Sequence, residues 1–177
     1  MMQNKAEELN LAEASTGWTL FVRLTHWLVA VSVMTNFFND TGFWHRAIGY
    51  GCLGLVLVRI VYGLCISKIS ASQFYRPTFL SIRQHLTAIF TKKLTHHVGH
   101  NPLGQCAVYI MWLLIMLLAF TGWLSRTDLF WGEDWPVDCH KLFSNLLQGL
   151  VILHLPAVII MSKLQKKNLV KLMIKRS

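Results

Sequence analysis

Residues 140–161 read HKLFSNLLQGLVILHLPAVIIM, an apolar stretch with a single charged side chain, Lys141. A helix needs about 20 apolar residues to cross a hydrocarbon core of about 30 Å. This stretch is therefore long and apolar enough to predict a membrane-spanning helix. It also carries His140 and His154. An ionisable side chain inside a membrane span is costly, so it indicates a functional site.

Three other stretches share this length and composition. We place the four spans at about residues 18–38, 45–66, 102–124 and 142–161, with a polar loop at 67–101. Of the 177 residues, 54% are hydrophobic and 14% are charged, whereas a soluble domain carries about 25% charged residues. We therefore predict an all-α fold, a transmembrane four-helix bundle that forms a single integral membrane domain over residues 1–177.

Composition also excludes several classes of protein. The 17 basic residues outnumber the eight acidic ones, but they flank apolar runs and form no nucleic-acid patch, so no nucleic-acid partner is expected. Three of the four cysteines lie in or beside apolar runs, which argues against a disulfide scaffold, and no CxxCH motif for covalent haem attachment occurs. The acidic leader has no obvious small-residue cleavage site, which favours a retained first span over a cleaved signal peptide.

The basic residues predict an orientation in the membrane. Twelve of the 17 fall on the side that holds both termini and the loop 67–101. The opposite side holds Arg46, Arg126 and Lys141 together with five acids. Positively charged residues are concentrated on the cytoplasmic side of membrane proteins. We therefore expect a multi-pass membrane protein with both termini in the cytoplasm.

The polar segments carry weaker signals. Apolar residues at 79, 82, 86 and 90 recur at three- and four-residue steps, which is typical of a short helix lying on the membrane surface. A plain basic loop is the alternative. The tail from Lys163 to Arg176 is interpreted most simply as a solvated continuation of the last helix.

Four histidines fall into two pairs that lie level across the membrane. At a rise of 1.5 Å per residue, His26 and His154 each lie roughly 12–13 Å from the cytoplasmic ends of their spans. His45 and His140 lie at the outward ends. His140 and His154 are 14 residues apart, so they share one helix face and lie about 21 Å apart along it.

Two imidazoles that face each other across a bundle are typical of a bis-histidine haem site. Interhelical hydrogen bonding, a bare metal site and a proton path remain as alternatives. Zinc or copper transport is disfavoured because the four spans contain no Asp or Glu.

Two arginines agree with a haem site. Arg23 lies three residues before His26, and Arg59 lies 14 residues after His45, so each falls close to the face of its histidine. A buried arginine requires an anion, and haem propionates would supply one where the spans offer no acidic side chain. The alternative is that both side chains extend to the cytoplasmic interface.

Several short motifs resemble one known family. They are RLTHW at 23–27, HRAIG at 45–49 with Arg59 beyond it, GHNPLG at 99–104, KNLV at 167–170, and the histidines at 140 and 154. Together they resemble the prokaryotic cytochrome b561 family and the related b-type cytochrome subunit of nickel–iron hydrogenases, over roughly residues 17–176. GWTLF at 17–21 departs from the pattern, since many relatives have a proline there. The short outer loops argue against a large partner such as a hydrogenase.

This resemblance implies a four-helix bundle with two b haems that moves electrons between the quinone pool and a periplasmic partner. His26 and His154 would hold the haem on the cytoplasmic side, and His45 and His140 the haem on the periplasmic side. With both axial positions filled, neither iron would have an open site for oxygen.

The partners that follow are membrane lipid, quinone or quinol, and a periplasmic redox protein. Acidic outer loops would steer a basic soluble protein such as a c-type cytochrome. A quinone site is expected on the cytoplasmic side, near Arg23, Arg59, His100 and Asn101. A second copy of the chain is a further candidate partner.

Other functions stay open at this point. The chain would be an electron-transfer component or, as some relatives are, a superoxide:quinone oxidoreductase of the same fold. A haem-free transporter or membrane anchor is the remaining alternative.

Overall fold

The computed structural model describes residues 18–66, 78–90, 102–166 and 168–174, and this part of the chain contains helices but no strands. The helices are α1 (Leu20–Phe37), α2 (Phe43–Val61, continued by a π-helical segment at Tyr62–Ile66), α3 (Phe79–Phe90), α4 (Pro102–Leu124), α5 (Trp135–Leu164) and α6 (Leu169–Ile174), with a short 3₁₀ helix at Asp128–Phe130. The all-α prediction is confirmed, and α3 is the helix expected within the polar loop. Other parts of that loop lie outside the described residues.

Four helices are long and apolar enough to cross a membrane: α1, α2 with its extension, α4 and α5. The predicted transmembrane four-helix architecture is therefore confirmed. Large apolar side chains cover the outside of these helices, and Leu153 on α5 is 67% exposed. Such an extensive apolar surface is unsuited to water. The membrane-embedded helices therefore contact lipid.

Helix α5 extends beyond the predicted membrane span at both ends. It begins at Trp135 instead of 142 and ends at Leu164 instead of 161. Pro136 lies in its first turn, where backbone N–H groups have no partner within the helix. The missing N–H of proline therefore costs no hydrogen bond there. Asp138, also in the first turn, interacts favourably with the positive end of the helix dipole. His140 consequently lies more than one turn inside a regular helix, and not at its start.

The other boundaries agree more closely with the sequence. Helix α4 has the predicted bounds, and α2 begins two residues earlier than predicted, at Phe43. Gly42 precedes α2 with φ = 99°, a left-handed conformation that glycine adopts readily because it has no Cβ. This turn reverses the chain between α1 and α2.

A cluster of buried apolar side chains fills the middle of the bundle. Helix α1 packs on α2, α2 on α4 and α4 on α5, while α5 approaches α1 and α2 much less closely. The core cluster is formed by buried side chains of α2, α4 and α5, namely Cys52, Val56, Leu114, Ile115 and Leu147. Leu147 lies seven residues from each of His140 and His154. Along α5, the core therefore lies between the two histidines.

The C-terminal segment does not continue α5 into solvent, so that interpretation was wrong. Lys166 adopts φ = 52° after the end of α5, and the chain then turns back as α6. Arg23 Nη1 and Trp27 Nε1 on α1 donate hydrogen bonds to the carbonyls of Ile174 and Met173, at 3.2 and 3.0 Å. Donors of this kind satisfy the last carbonyls of a helix. The hydrogen bonds from Arg23 and Trp27 hold α6 against α1.

The two ends of the bundle differ in charge. What we call the basic end carries Arg23, Arg59, Lys163, Lys166 and Lys171. What we call the acidic end carries Asp40, Asp128, Glu133, Asp134 and Asp138, together with Arg46, Arg126 and Lys141. Which end faces the cytoplasm stays a prediction.

The core makes a quantitative prediction. Leu147→Ala leaves a cavity at a side chain that is only 2% exposed, so we expect it to lower the free energy of unfolding by about 2–5 kcal/mol. Leu153→Ala on the lipid-facing side of the same helix is the matched control and should change it by less than about 0.5 kcal/mol. Thermal unfolding of both variants in detergent measures the difference, and equal melting temperatures would contradict the packing described here.

Candidate functional site

At the acidic end, two histidine rings face each other across the bundle. The ring centroids of His45 on α2 and His140 on α5 are 6.0 Å apart, with 63° between the ring planes. Two imidazoles that share one metal ion have centroids about 6 Å apart, since each metal–nitrogen bond is about 2 Å and each ring adds about 1 Å. The separation of these rings therefore fits two axial ligands of one iron.

Hydrogen bonds select the ring nitrogen that each histidine can offer to a metal. Nδ1 of His45 contacts the backbone carbonyl of Asn39, which only accepts hydrogen bonds. Nδ1 of His140 lies 3.1 Å from Oγ1 of Thr121, whose hydroxyl donates to the carbonyl of Leu117 at 2.8 Å. Both contacts place the ring proton on Nδ1. The lone pair on Nε2 is then available as a metal ligand in both rings.

Close packing against α4 fixes the position of the His140 ring. A Cβ at Gly122 would lie 3.3 Å from Cε1 and 3.4 Å from Nδ1 of this ring. Because glycine has no Cβ, the ring can lie against the helix backbone. Thr121 and Gly122 are thus neighbours that orient and accommodate the same imidazole.

Asn36 connects α1 to the backbone of His45, the other histidine of this pair. Its Nδ2 donates to the backbone carbonyl of His45 at 3.0 Å, and a Cβ at Gly49 would be 3.4 Å from that nitrogen. The sequence did not point to Asn36, Asn39 or Thr121. Their polarity in or beside apolar spans was the available signal, but their roles depend on how the helices are rotated relative to each other.

At the basic end, His26 on α1 and His154 on α5 are close enough to interact electrostatically. The ring of His26 packs edge-on against Trp27, with centroids 5.4 Å apart. Its Nδ1 is buried and has no hydrogen-bond partner in the described part of the chain. An unsatisfied buried polar atom costs about 1–3 kcal/mol. A partner supplied by a bound group would remove this penalty.

The two arginines have different surroundings. Nη1 of Arg23 bonds to α6, but its Nε is buried and lacks a partner in the described residues, which leaves this group open to an anion. The Arg59 guanidinium lies 5.9 Å from the ring centroids of both Tyr62 and Trp112. Such cation–π contacts stabilise a charge in apolar surroundings. Propionate binding by these arginines stays a prediction, and His100 and Asn101 lie outside the described residues.

The described residues offer too few ligands for a bare metal ion. They contain no group of three or more His, Cys, Asp or Glu side chains that could hold one. Two opposed imidazoles nevertheless suffice for a haem, because the porphyrin supplies the other four ligands of the iron. The donor set present therefore fits a b-type haem better than free zinc or copper.

Membrane-spanning helices that bring histidines together across a bundle are the features of a membrane cytochrome. The chain belongs to the prokaryotic cytochrome b561 family, whose sequence model matches residues 17–176. No curated protein and no solved structure matches the sequence significantly. Membership makes the chain a membrane b-type cytochrome of electron transfer that binds b-type haem. It argues against a haem-free transporter or anchor.

The Thr121–His140 hydrogen bond can be tested directly. Thr121→Val keeps the shape of the side chain but removes the oxygen that accepts from Nδ1. Loss of such a partner weakens metal binding by about 10–100-fold, so we expect faster transfer of haem to apomyoglobin. Thr121→Ser keeps the hydroxyl and should behave like the unaltered protein. Equal transfer rates for the Val and Ser variants would show that the contact has no role.

Proposed function

We propose that this chain carries electrons across the bacterial inner membrane, between the quinone pool and a soluble redox partner on the other side, and that it binds two b haems to do so. His26 and His154 would ligate one iron, and His45 and His140 the other. The observation that carries this proposal is the pair of facing rings of His45 and His140, 6.0 Å apart. The pair at the basic end supports a second site.

The residues of the chain have three tasks in this proposal. The four histidines would hold the two haem irons, and Asn39 and Thr121 orient two of these histidines through Nδ1. A bound b haem would supply reversible one-electron oxidation and reduction. Buried apolar side chains around Leu147 exclude water between the two sites, whose ligands on α5 lie about 21 Å apart along the helix.

We propose that residues 1–177 form one membrane domain whose acidic end faces the periplasm. The charge asymmetry between the basic and acidic ends supports this orientation. An acidic surface would attract a basic partner, such as a c-type cytochrome, by long-range electrostatics. Raising ionic strength should therefore slow electron exchange with cytochrome c in stopped-flow measurements. A rate independent of salt would argue against this partner.

We also propose that quinone reacts at the basic end, beside Arg59. This guanidinium lies among the rings of Tyr62 and Trp112, so the region combines hydrogen-bond donors with flat apolar surfaces. Such a combination suits a quinone, which has two carbonyl acceptors on an apolar ring. Arg23 on α1 adds a second donor at this end.

Substituting His154 tests the number of haems. His154→Ala should reduce haem from two to one per chain in a pyridine haemochrome assay, and His45→Ala should do the same because it removes a ligand of the other site. The double variant should lose both. His85→Ala, on α3 outside the four spans, is the control and should retain two. Unchanged haem content in His154→Ala would overturn the proposed ligand set.

Arg59→Gln tests the quinone site. We expect it to slow quinol-dependent haem reduction by at least about tenfold, because about 1.4 kcal/mol is the scale of one lost hydrogen bond to a charged group. The dithionite-reduced spectrum should stay the same, since Arg59 is not an axial ligand. Arg126→Gln removes a charge at the acidic end and should leave quinol kinetics unaltered. Normal quinol kinetics in Arg59→Gln would refute the assignment.

A further inference from the structure

A cavity of about 690 Å³ lies between the end of α5 and the returning helix α6. Its lining combines three basic side chains with apolar ones, including Lys163, Lys166, Lys171, Ile159, Val170 and Ile174. None of these residues belongs to the histidine sites described above. We propose that this cavity binds the phosphate headgroup of an anionic phospholipid.

The basic side chains around the cavity have no acidic side chain near them in the described part of the protein, so an anion would complement them. All five acidic side chains among the described residues are at the acidic end. The ion pair found in this part of the chain, Lys141 with Asp138 at 3.4 Å, is also there. Like charges around one cavity repel each other. The attraction between a bound phosphate group and the lysines would offset this repulsion.

The turn between α5 and α6 brings three lysines to the lining of one cavity. Lys166 has φ = 52°, a left-handed conformation that is uncommon for residues with a Cβ. The start of α6 is then held by two hydrogen bonds, from Leu169 N–H to Ser162 Oγ at 3.1 Å and from Lys171 N–H to Asn168 Oδ1 at 2.8 Å. This turn places Lys163 and Lys166 on the same cavity as Lys171.

The apolar part of the lining favours a phospholipid over a free anion. Ile174 is 65% exposed and Ile159 is 53% exposed, and both line the cavity beside the lysines. Free phosphate would use the ammonium groups alone, whereas a phospholipid would also cover these apolar side chains. The cavity lies at the end of a helix long and apolar enough to span a membrane, where lipid headgroups are expected. Basic pockets in this position are typical sites for anionic headgroups.

Native mass spectrometry of the full-length, haem-loaded protein in detergent tests the proposal. Phosphatidylglycerol and phosphatidylcholine are added as probes in separate titrations, and we expect at least tenfold tighter binding of phosphatidylglycerol. Each lysine near an anionic headgroup contributes about a fivefold effect. Lys163→Gln/Lys166→Gly should therefore weaken binding of phosphatidylglycerol by about 25-fold. Glycine at 166 accommodates the positive φ, so the turn is retained.

Two measurements show that the variant remains folded. Its visible spectrum and its melting temperature should match those of the unaltered protein. Arg126→Gln/Lys141→Gln removes two positive charges at the acidic end and should leave lipid binding the same, which controls for net charge. The site does not depend on the proposed electron-transfer function, so lipid binding can be measured whatever the haem content.

Several outcomes would overturn the proposal. Equal binding of the two lipids, or full binding of phosphatidylglycerol by the double variant, would remove the headgroup assignment. If inorganic phosphate competed with both lipids and the protein bound the two lipids equally, the cavity would be a free-anion site. Displacement of bound lipid by decylubiquinone would assign the cavity to quinone.

Discussion

The structure depends on one constraint, which is that the hydrocarbon core of a membrane offers no water to satisfy polar groups. Backbone groups are satisfied within the helices. The buried hydroxyls of Thr25 and Thr121 donate back to carbonyls one turn earlier, at 2.9 and 2.8 Å. The histidines cannot be satisfied in this way, because a ring has two nitrogens and reaches away from its own helix. They therefore depend on neighbouring helices or on a bound group.

The centre of the bundle meets this constraint by apolar packing. Leu147 and its neighbours fill the centre with apolar side chains, while α5 packs mainly on α4 and approaches α2 at the His45–His140 pair. Family membership implies b-type haem. A haem held by the histidines would give their buried ring nitrogens a partner and would provide the redox chemistry.

Much of the fold could be predicted from the sequence, because hydropathy alone identifies helices that must cross lipid. The structure brings His45 and His140, which the sequence places level across the membrane, to a ring separation of 6.0 Å. The sequence did not indicate that α5 begins before the predicted span, because its first two turns carry Trp135, Asp138 and other residues that belong at a membrane surface and lack apolar continuity. The fold-back of α6 depends on a left-handed Lys166, which propensity does not indicate. The role of Thr121 depends on the contact between α4 and α5, and spacing along one helix does not specify such a contact.

The apolar centre of the bundle has an energetic consequence under the proposed function. Among the described residues, the buried cluster around Val56 carries no charged side chain beside the path that an electron would take. Each electron passing between the two ends would then displace uncompensated charge through the membrane voltage. One charge moved across the whole membrane corresponds to about 2.3 kcal/mol per 100 mV. The direction of net electron transfer would therefore depend on the membrane voltage as well as on the redox potentials of donor and acceptor.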